Sequence, residues 1–234
     1  MSENRSGRAV LSPNEMRKSH PDSAAPAPYG CLHCTTAGSF KGDVSRMPRT
    51  CPTRTHDEVA GDTSGYLGAD RQALMKAADA TPFKPDGTLR NRVEELAHYA
   101  HGRGMKRIGV AFCVSLLEES QRLARLLQDE GLETELVCCR VGAVDYDEID
   151  LPKAHPDRFA AICNPVAQAR LLNQRNVDLV AQVGLCVGHD LVLQEECDAP
   201  VTTLVVKDRA LDHHTVAALR SPPATGSSDT LPHV

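Results

Sequence analysis

Nine cysteines stand among 234 residues, and their spacing is the first sign of chemistry. Cys113, Cys139, Cys163 and Cys186 recur at about the length of one strand–helix unit, so each falls at nearly the same place in successive units. Nearer the start, Cys31-Leu32-His33-Cys34 is a CxxC pair, followed later by Cys51-Pro52. A thiolate is a soft metal ligand, a nucleophile or a redox group, whereas a free thiol can also be a small buried hydrophobe. The opening MSENRSGRAVLSPNEMRKSH has no apolar stretch of the kind that marks a secretory signal, so a cytoplasmic, reducing setting is expected. An odd count of thiols agrees with that setting.

Two further arrangements invite a chemical reading. In Gly184-Leu185-Cys186-Val187-Gly188-His189-Asp190, a Cys sits on a glycine-flanked turn with His and Asp close behind. This resembles a nucleophile elbow, with Cys186 as the thiol and His189 as a candidate partner. The CxxC pair is half of a zinc knuckle, with Cys51 as a third ligand. His33 lies inside the CxxC, where its side chain diverges from a shared metal, so His56 is the better fourth ligand.

The elements that must position these residues can be read from periodicity. Ala69–Ala80 has the composition of a helix. Asp86-Gly87-Thr88 reads as a turn with an N-cap, ahead of an apolar stripe at Leu89, Val93, Leu96, Ala97 and Ala100. Arg107–Phe112 is a short apolar run of the buried parallel-strand type. Ser115-x-x-Glu118 reads as a capping box opening a helix that Gly131 ends. Glu133–Val141, Asp178–Gly184 and Val201–Val206 are the later strands. Asn164-Pro165 starts the helix between the second and third strands, and Gly188–Glu196 is the helix before the fourth.

Alternating strands and helices imply right-handed crossovers and a parallel sheet covered by helices. The expected fold is a flavodoxin-like or Rossmann-like α/β sheet of about four strands, with the second strand beside the first and the third on its other side. Residues 1–28 are rich in Ser, Pro, Ala and charge and read as a disordered extension; 29–68 form a loop-rich Cys module; 69–220 form the α/β domain; 221–234 read as a disordered tail.

On that fold the four recurring cysteines meet on one rim, the C-terminal edge of the sheet, where such folds bind ligands. Cys138 and Cys197 are assigned to packing, and Asn164, Gln168 and Lys207-Asp208-Arg209 are expected on the rim. Three adjacent strand ends span roughly 10 Å, whereas a tetrahedral zinc needs sulfurs under roughly 4 Å apart. Geometry therefore leans toward a polynuclear iron–sulfur cluster, and the lack of a compact C-x₂-C-x₂-C run leans the other way. The segment Gly142–Ile162 is long for a loop, of a length often used for lids.

Composition removes several classes. Lys+Arg 26 against Asp+Glu 31 gives a net charge of −5, with no basic field for a nucleic acid. No apolar run approaches a membrane span. With no Trp, 4 Tyr and 4 Phe, aromatic stacking platforms are not expected. No GxGxxG or GxxxxGK[ST] follows a strand, so dinucleotide and P-loop binding have no support.

Taken together, AFC at Ala111–Cys113, VCCRVG at Val137–Gly142, CNPVAQA at Cys163–Ala169, GLCVGHD at Gly184–Asp190 and APVTTLVVKDR at Ala199–Arg209 resemble one family. It is known as domain of unknown function eighteen-forty-seven and described as metal-binding. The resemblance runs from Leu89 to Leu219. It implies metal binding, with zinc on N-terminal cysteines in members that carry four of them, and it implies no particular reaction. This chain has only Cys31, Cys34 and Cys51 in that region.

The leading expectation is a metal-binding α/β protein. Cys113, Cys139, Cys163 and Cys186 would hold an iron–sulfur cluster, zinc or another soft metal, for electron transfer, metal handling or redox sensing. Cys31, Cys34, Cys51 and His56 would form a separate zinc site. Two alternatives stand beside it: a thiol-dependent enzyme with Cys186 as nucleophile, and a ligand-binding or interaction module with a structural zinc. The expected partner is a metal ion or cluster, with neither nucleic acid nor membrane.

Overall fold

The computed structural model describes residues 29–220; the extension expected over 1–28 and the tail expected over 221–234 lie outside the described residues. The chain divides into two compact units, residues 1–68 and 69–234.

The described part of the first unit is built from single turns: Gly30–His33, Gly38–Lys41, Val44–Arg46, Pro52–Thr55, Asp57–Ala60 and Ser64–Tyr66. Gly, Pro, Thr and Ser supply turn geometry here, and no apolar period lasts long enough to extend a helix. Met47 and Cys51 are its buried apolar side chains. The Gly30 N–H donates to the Thr50 carbonyl at 2.9 Å, which lays the CxxC turn beside the Cys51 turn.

The second unit is a three-layer α/β/α domain. In chain order its main elements are α1 (Ala69–Asp79), α2 (Arg92–Gly102), β1 (Arg107–Phe112), α3 (Leu117–Asp129), β2 (Glu133–Cys138), α4 (Pro165–Gln174), β3 (Leu179–Val183), α5 (His189–Glu196) and β4 (Val201–Val205). The sheet order is β2-β1-β3-β4, all parallel. β1 pairs with β2 from Arg107↔Glu133 to Phe112↔Cys138 and with β3 from Ile108↔Leu179 to Phe112↔Val183.

Alternation along the strands divides the core in two. Ile108, Val110, Phe112, Leu179, Ala181 and Val183 pack against Leu96 and Ala100 of α2 and Leu123 and Leu127 of α3. On the other face, Ala111 and Val180 pack against Ala169 and Leu172 of α4 and Leu193 of α5, and Cys113 and Cys139 belong to this second cluster. Gly109 is what lets α4 come close: a Cβ there would stand 3.0 Å from Leu172 Cδ2.

Two helix starts differ from the sequence reading. α2 is capped by Asn91, whose side chain accepts from the Val93 and Glu94 N–H groups while Glu94 reaches back to the Asn91 N–H. Asp86 and Thr88 instead close a turn, and Phe83 and Leu89 form an antiparallel bridge that leaves Leu89 exposed. At α3 the expected capping box does not form. A 3₁₀ turn, Val114–Leu116, precedes the helix, and Ser115 turns toward the rim. α4 begins as read, with Asn164 Oδ1 accepting from the Ala167 N–H at 3.0 Å and Pro165 at the first helical position.

Candidate functional site

The backbone brings the rim cysteines to one edge. Cys113 follows β1, and its N–H donates to the Val183 carbonyl at 3.0 Å. The Cys139 N–H donates to the Phe112 carbonyl at 2.8 Å, and the Cys139 carbonyl accepts from the Asn164 N–H at 2.7 Å. That last bond sets the residues around Cys163 alongside the end of β2. Cys186 lies on the turn between β3 and α5, with Gly184 at φ 63° and Gly188 at φ 91°.

Of the side chains, the Cys139 and Cys163 thiols are hydrogen-bonded to each other, whereas Cys113 and Cys186 act on Cys163 through charge alone. The four are unequally covered: Cys113 is 7% and Cys139 2% exposed, while Cys163 and Cys186 are half-buried. The hydrogen bond from Cys139, aided by the Arg140 guanidinium and opposed by burial, lowers the Cys163 thiol to about 7. The same bond, together with burial, drives the Cys139 thiol up, against the Val114 N–H that donates to its sulfur at 3.3 Å.

Cations meet the other two thiols. The Lys207 ammonium donates to Cys113 Sγ at 3.3 Å and to Ser115 Oγ at 2.6 Å, with Ser115 Oγ itself 3.4 Å from the sulfur. The Arg209 guanidinium donates to Cys186 Sγ at 3.5 Å. Beneath the rim, Gln168 is fully buried and donates through Nε2 to the Phe112 carbonyl at 3.2 Å and the Val137 carbonyl at 2.7 Å.

The segment after β2 leaves the rim and returns to it in an ordered course. Asp145 and Ala161 form an antiparallel bridge, and Arg140 donates to the Ala161 carbonyl. Asp145 and Glu148 build a capping box, and the Lys153 ammonium is 2.9 Å from Asp145 Oδ1 with its side chain almost fully covered. The segment is thus held by Arg140 and Lys153 close to where Cys163 begins the next crossover.

The family model described as "Protein of unknown function (DUF1847)" matches residues 51–204, well over half of the chain. The chain belongs to the DUF1847 family. Uncharacterized protein MJ0455 of Methanocaldococcus jannaschii is 40% identical over 130 residues, covering 56% of this chain and 67% of that protein. No solved structure matches the chain.

In this DUF1847 member Cys186 and Asp190 of the expected nucleophile elbow take other partners. Arg209, rather than His189, is the side chain on the Cys186 sulfur, while Asp190 Oδ1 accepts from the Gly188 and Leu191 N–H groups as a first-turn acid. The His189 N–H bonds the Cys186 carbonyl as part of the turn. Cys138 was assigned by alternation to the opposite face, and it does pack there, but it touches both clusters and its thiol is in hydrogen-bond reach of Cys139. Cys197 ends α5, where burial pushes its thiol up to about 11.

In the first unit, the Thr36 and Ala37 N–H groups hold the Cys34 thiol below its ordinary value. Burial raises the Cys51 thiol, but hydrogen bonds from Thr53, Ser39 and the Arg54 N–H outweigh it and the net direction is down. Cys31 is exposed. His56 is turned to other work: its Nδ1 is 2.8 Å from Thr55 Oγ1 and its ring meets Tyr29 edge-on at 5.4 Å between centroids. Among the described residues no three His, Cys, Asp or Glu side chains stand close enough to form a ready-made metal group.

Ser115 is the rim residue the sequence reading missed. Its position two residues after Cys113 was the available signal, and the apparent capping box obscured it. Lys207 and Arg209 were placed on the rim without thiol partners; their contacts depend on how the chain turns after β4. Among the described residues, no helix is long and apolar enough to cross a membrane.

Proposed function

We propose that this chain binds a soft metal ion or an iron–sulfur cluster through Cys113, Cys139, Cys163 and Cys186 at the C-terminal edge of its sheet. The supporting observation is the convergence of these four cysteines, from separate crossovers, onto one edge of the sheet, with Cys139 and Cys163 in direct contact. The donor chemistry fits such a group. The ligands are all sulfur, and Lys207, Arg209 and Arg140 offset the negative charge that several thiolates accumulate. As they stand the four thiols do not form a closed ligand set, and their sulfurs take hydrogen bonds from Val114, Lys207 and Arg209 instead.

Within this reading Cys139 and Cys113 are the buried ligands, and Cys163 and Cys186 the half-exposed ones. The bound group would supply one-electron chemistry if it is a cluster and structural or transfer chemistry if it is a single ion. The chain's own residues provide the rest. The Val114 N–H and the Lys207 ammonium direct protons at sulfur, which tunes such centres. A reducing compartment is implied, since all four thiols must be free.

A second reading is a thiol-dependent enzyme. The Arg209 contact on Cys186, at a turn between two positive-φ glycines, favours it. For the first unit, the lowered thiols of Cys34 and Cys51 favour zinc held with Cys31 and His56 Nε2.

Anaerobic purification with metal analysis and a visible spectrum separates these readings. Broad absorption near roughly 400 nm that disappears in Cys113→Ser and Cys186→Ser supports the cluster. Zinc or another soft metal lost in the same variants supports the single ion. A metal-free, colourless protein alkylated first at Cys186 overturns the rim site in favour of the enzyme.

A further inference from the structure

We propose that Cys139 and Cys163 form a reversible disulfide that dismantles the rim site under oxidation. The consequence rests on the metal-binding reading above; the disulfide itself does not.

The two thiols are in hydrogen-bond contact, and the Asn164 N–H on the Cys139 carbonyl, 2.7 Å, holds their backbones side by side. Their environments give them different tasks. Cys163 is half-buried and open to a reagent, whereas Cys139 is only 2% exposed and can be reached by a neighbouring sulfur but hardly by a reagent. Competing pairings are disfavoured. Cys138 also touches Cys139, but consecutive Cα atoms are only about 3.8 Å apart, short of the roughly 4.4–6.8 Å a disulfide spans. Cys113 and Cys186 are engaged by Lys207 and Arg209.

The co-reactant is a low-molecular-weight disulfide, R–S–S–R. Deprotonated Cys163 Sγ attacks one sulfur, the S–S bond breaks, and RS⁻ leaves and takes up a proton from solvent. Cys139 Sγ then attacks Cys163 Sγ, releasing the second RS⁻, which accepts the proton that Cys139 gives up. The two cysteines are oxidised, the reagent is reduced to two RSH, and no other reactant is needed. The product ties up two of the four sulfurs. Cys113 and Cys186 alone fall short of the four ligands that a closed tetrahedral thiolate site needs.

The test uses the full chain, reduced and stripped of metal, then incubated with oxidised glutathione, with thiol titration and peptide mapping by mass spectrometry. The expected result is loss of the Cys139 and Cys163 thiols and a cross-linked peptide pair joining them, both reversed by dithiothreitol, irrespective of what the exposed Cys31 and Cys34 do. Cys139→Ser should accumulate the glutathione adduct on Cys163, and Cys163→Ser should leave Cys139 as a free thiol. Pairing of Cys139 or Cys163 with another cysteine in the unmodified chain, both remaining as free thiols, or glutathione on Cys139 in Cys163→Ser overturns the proposal. Cadmium binding to the reduced and oxidised chain is the second arm. Rim cadmium lost on oxidation and regained on reduction supports the switch. A reduced chain that takes no rim cadmium yet still forms the disulfide overturns only the metal reading and the consequence drawn from it.

Discussion

Cys163 is the thiol whose surroundings favour the charged form most. Its value near 7 has two causes of the same sign, the hydrogen bond from Cys139 and the positive charge of Arg140, working against burial. A group whose pKa is depressed is charged above that value and neutral below it. Alkylation of Cys163 by iodoacetamide should therefore rise through a midpoint near pH 7 and be slow at pH 5.5, followed residue by residue by mass spectrometry. Arg140→Gln removes the cation and should move the midpoint upward; an unchanged midpoint would show that Arg140 does not act on this thiol. The residue scale is also where the sequence is least legible. The recurrence of Cys113, Cys139, Cys163 and Cys186 could be seen because it follows the βα period. That Lys207 and Ser115 share Cys113, or that Arg209 and not His189 serves Cys186, depends on how a chain segment after β4 folds back. No local pattern encodes such a contact.

Among the elements, strands were the most legible, because a parallel strand covered on both faces must be continuously apolar. Arg107–Phe112 has the same bounds in sequence and structure, and β2 ends at Cys138 rather than Val141 because the chain turns there to bring Cys139 under the rim. Helix starts were less legible, since Asp86, Thr88 and Ser115 all look like caps and the competing partner decides. Two tests belong here. Gln168 of α4 bridges the ends of β1 and β2 through two buried carbonyls. Gln168→Leu keeps the bulk and removes the donor, and should lower stability by about 1–3 kcal/mol, read from urea denaturation under reducing conditions. Gly184 at φ 63° lies where a Cβ would come 2.3 Å from Leu116 Cδ1. Gly184→Ala should cost about 1–3 kcal/mol through overpacking and backbone strain. It should also change Cys113 and Cys186 alkylation together, because Leu116 ends the turn that carries Cys113 and Gly184 begins the one that carries Cys186. A change at one cysteine alone would argue that the two turns move independently.

At the scale of the whole molecule, an acidic chain with net charge −5 places Lys207, Arg209 and Arg140 against its thiol rim. The first unit carries a second set of thiols, Cys34 lowered by backbone N–H groups and Cys51 lowered, against burial, by hydrogen bonds from Thr53, Ser39 and the Arg54 N–H. Each unit is thus a candidate for metal, and linkage can tell them apart: a ligand that binds only the folded state stabilises it by about 2.7 kcal/mol at a hundredfold excess over Kd. For a domain of this size that is a rise in Tm of roughly 5–10 °C. Cadmium added to the reduced, full chain should raise Tm by that order. Thiol ligands must lose protons to bind, so the gain should be large at pH 8 and shrink as pH falls toward 6. If the rim is the site, Cys113→Ser with Cys186→Ser abolishes the cadmium-dependent shift of the main unfolding transition, and Cys31→Ser with Cys34→Ser leaves it intact. The reverse pattern would move the metal to the N-terminal turns. The rim thiols would then be a reactive rather than a ligating set, to be tested by their reactivity toward alkylating probes.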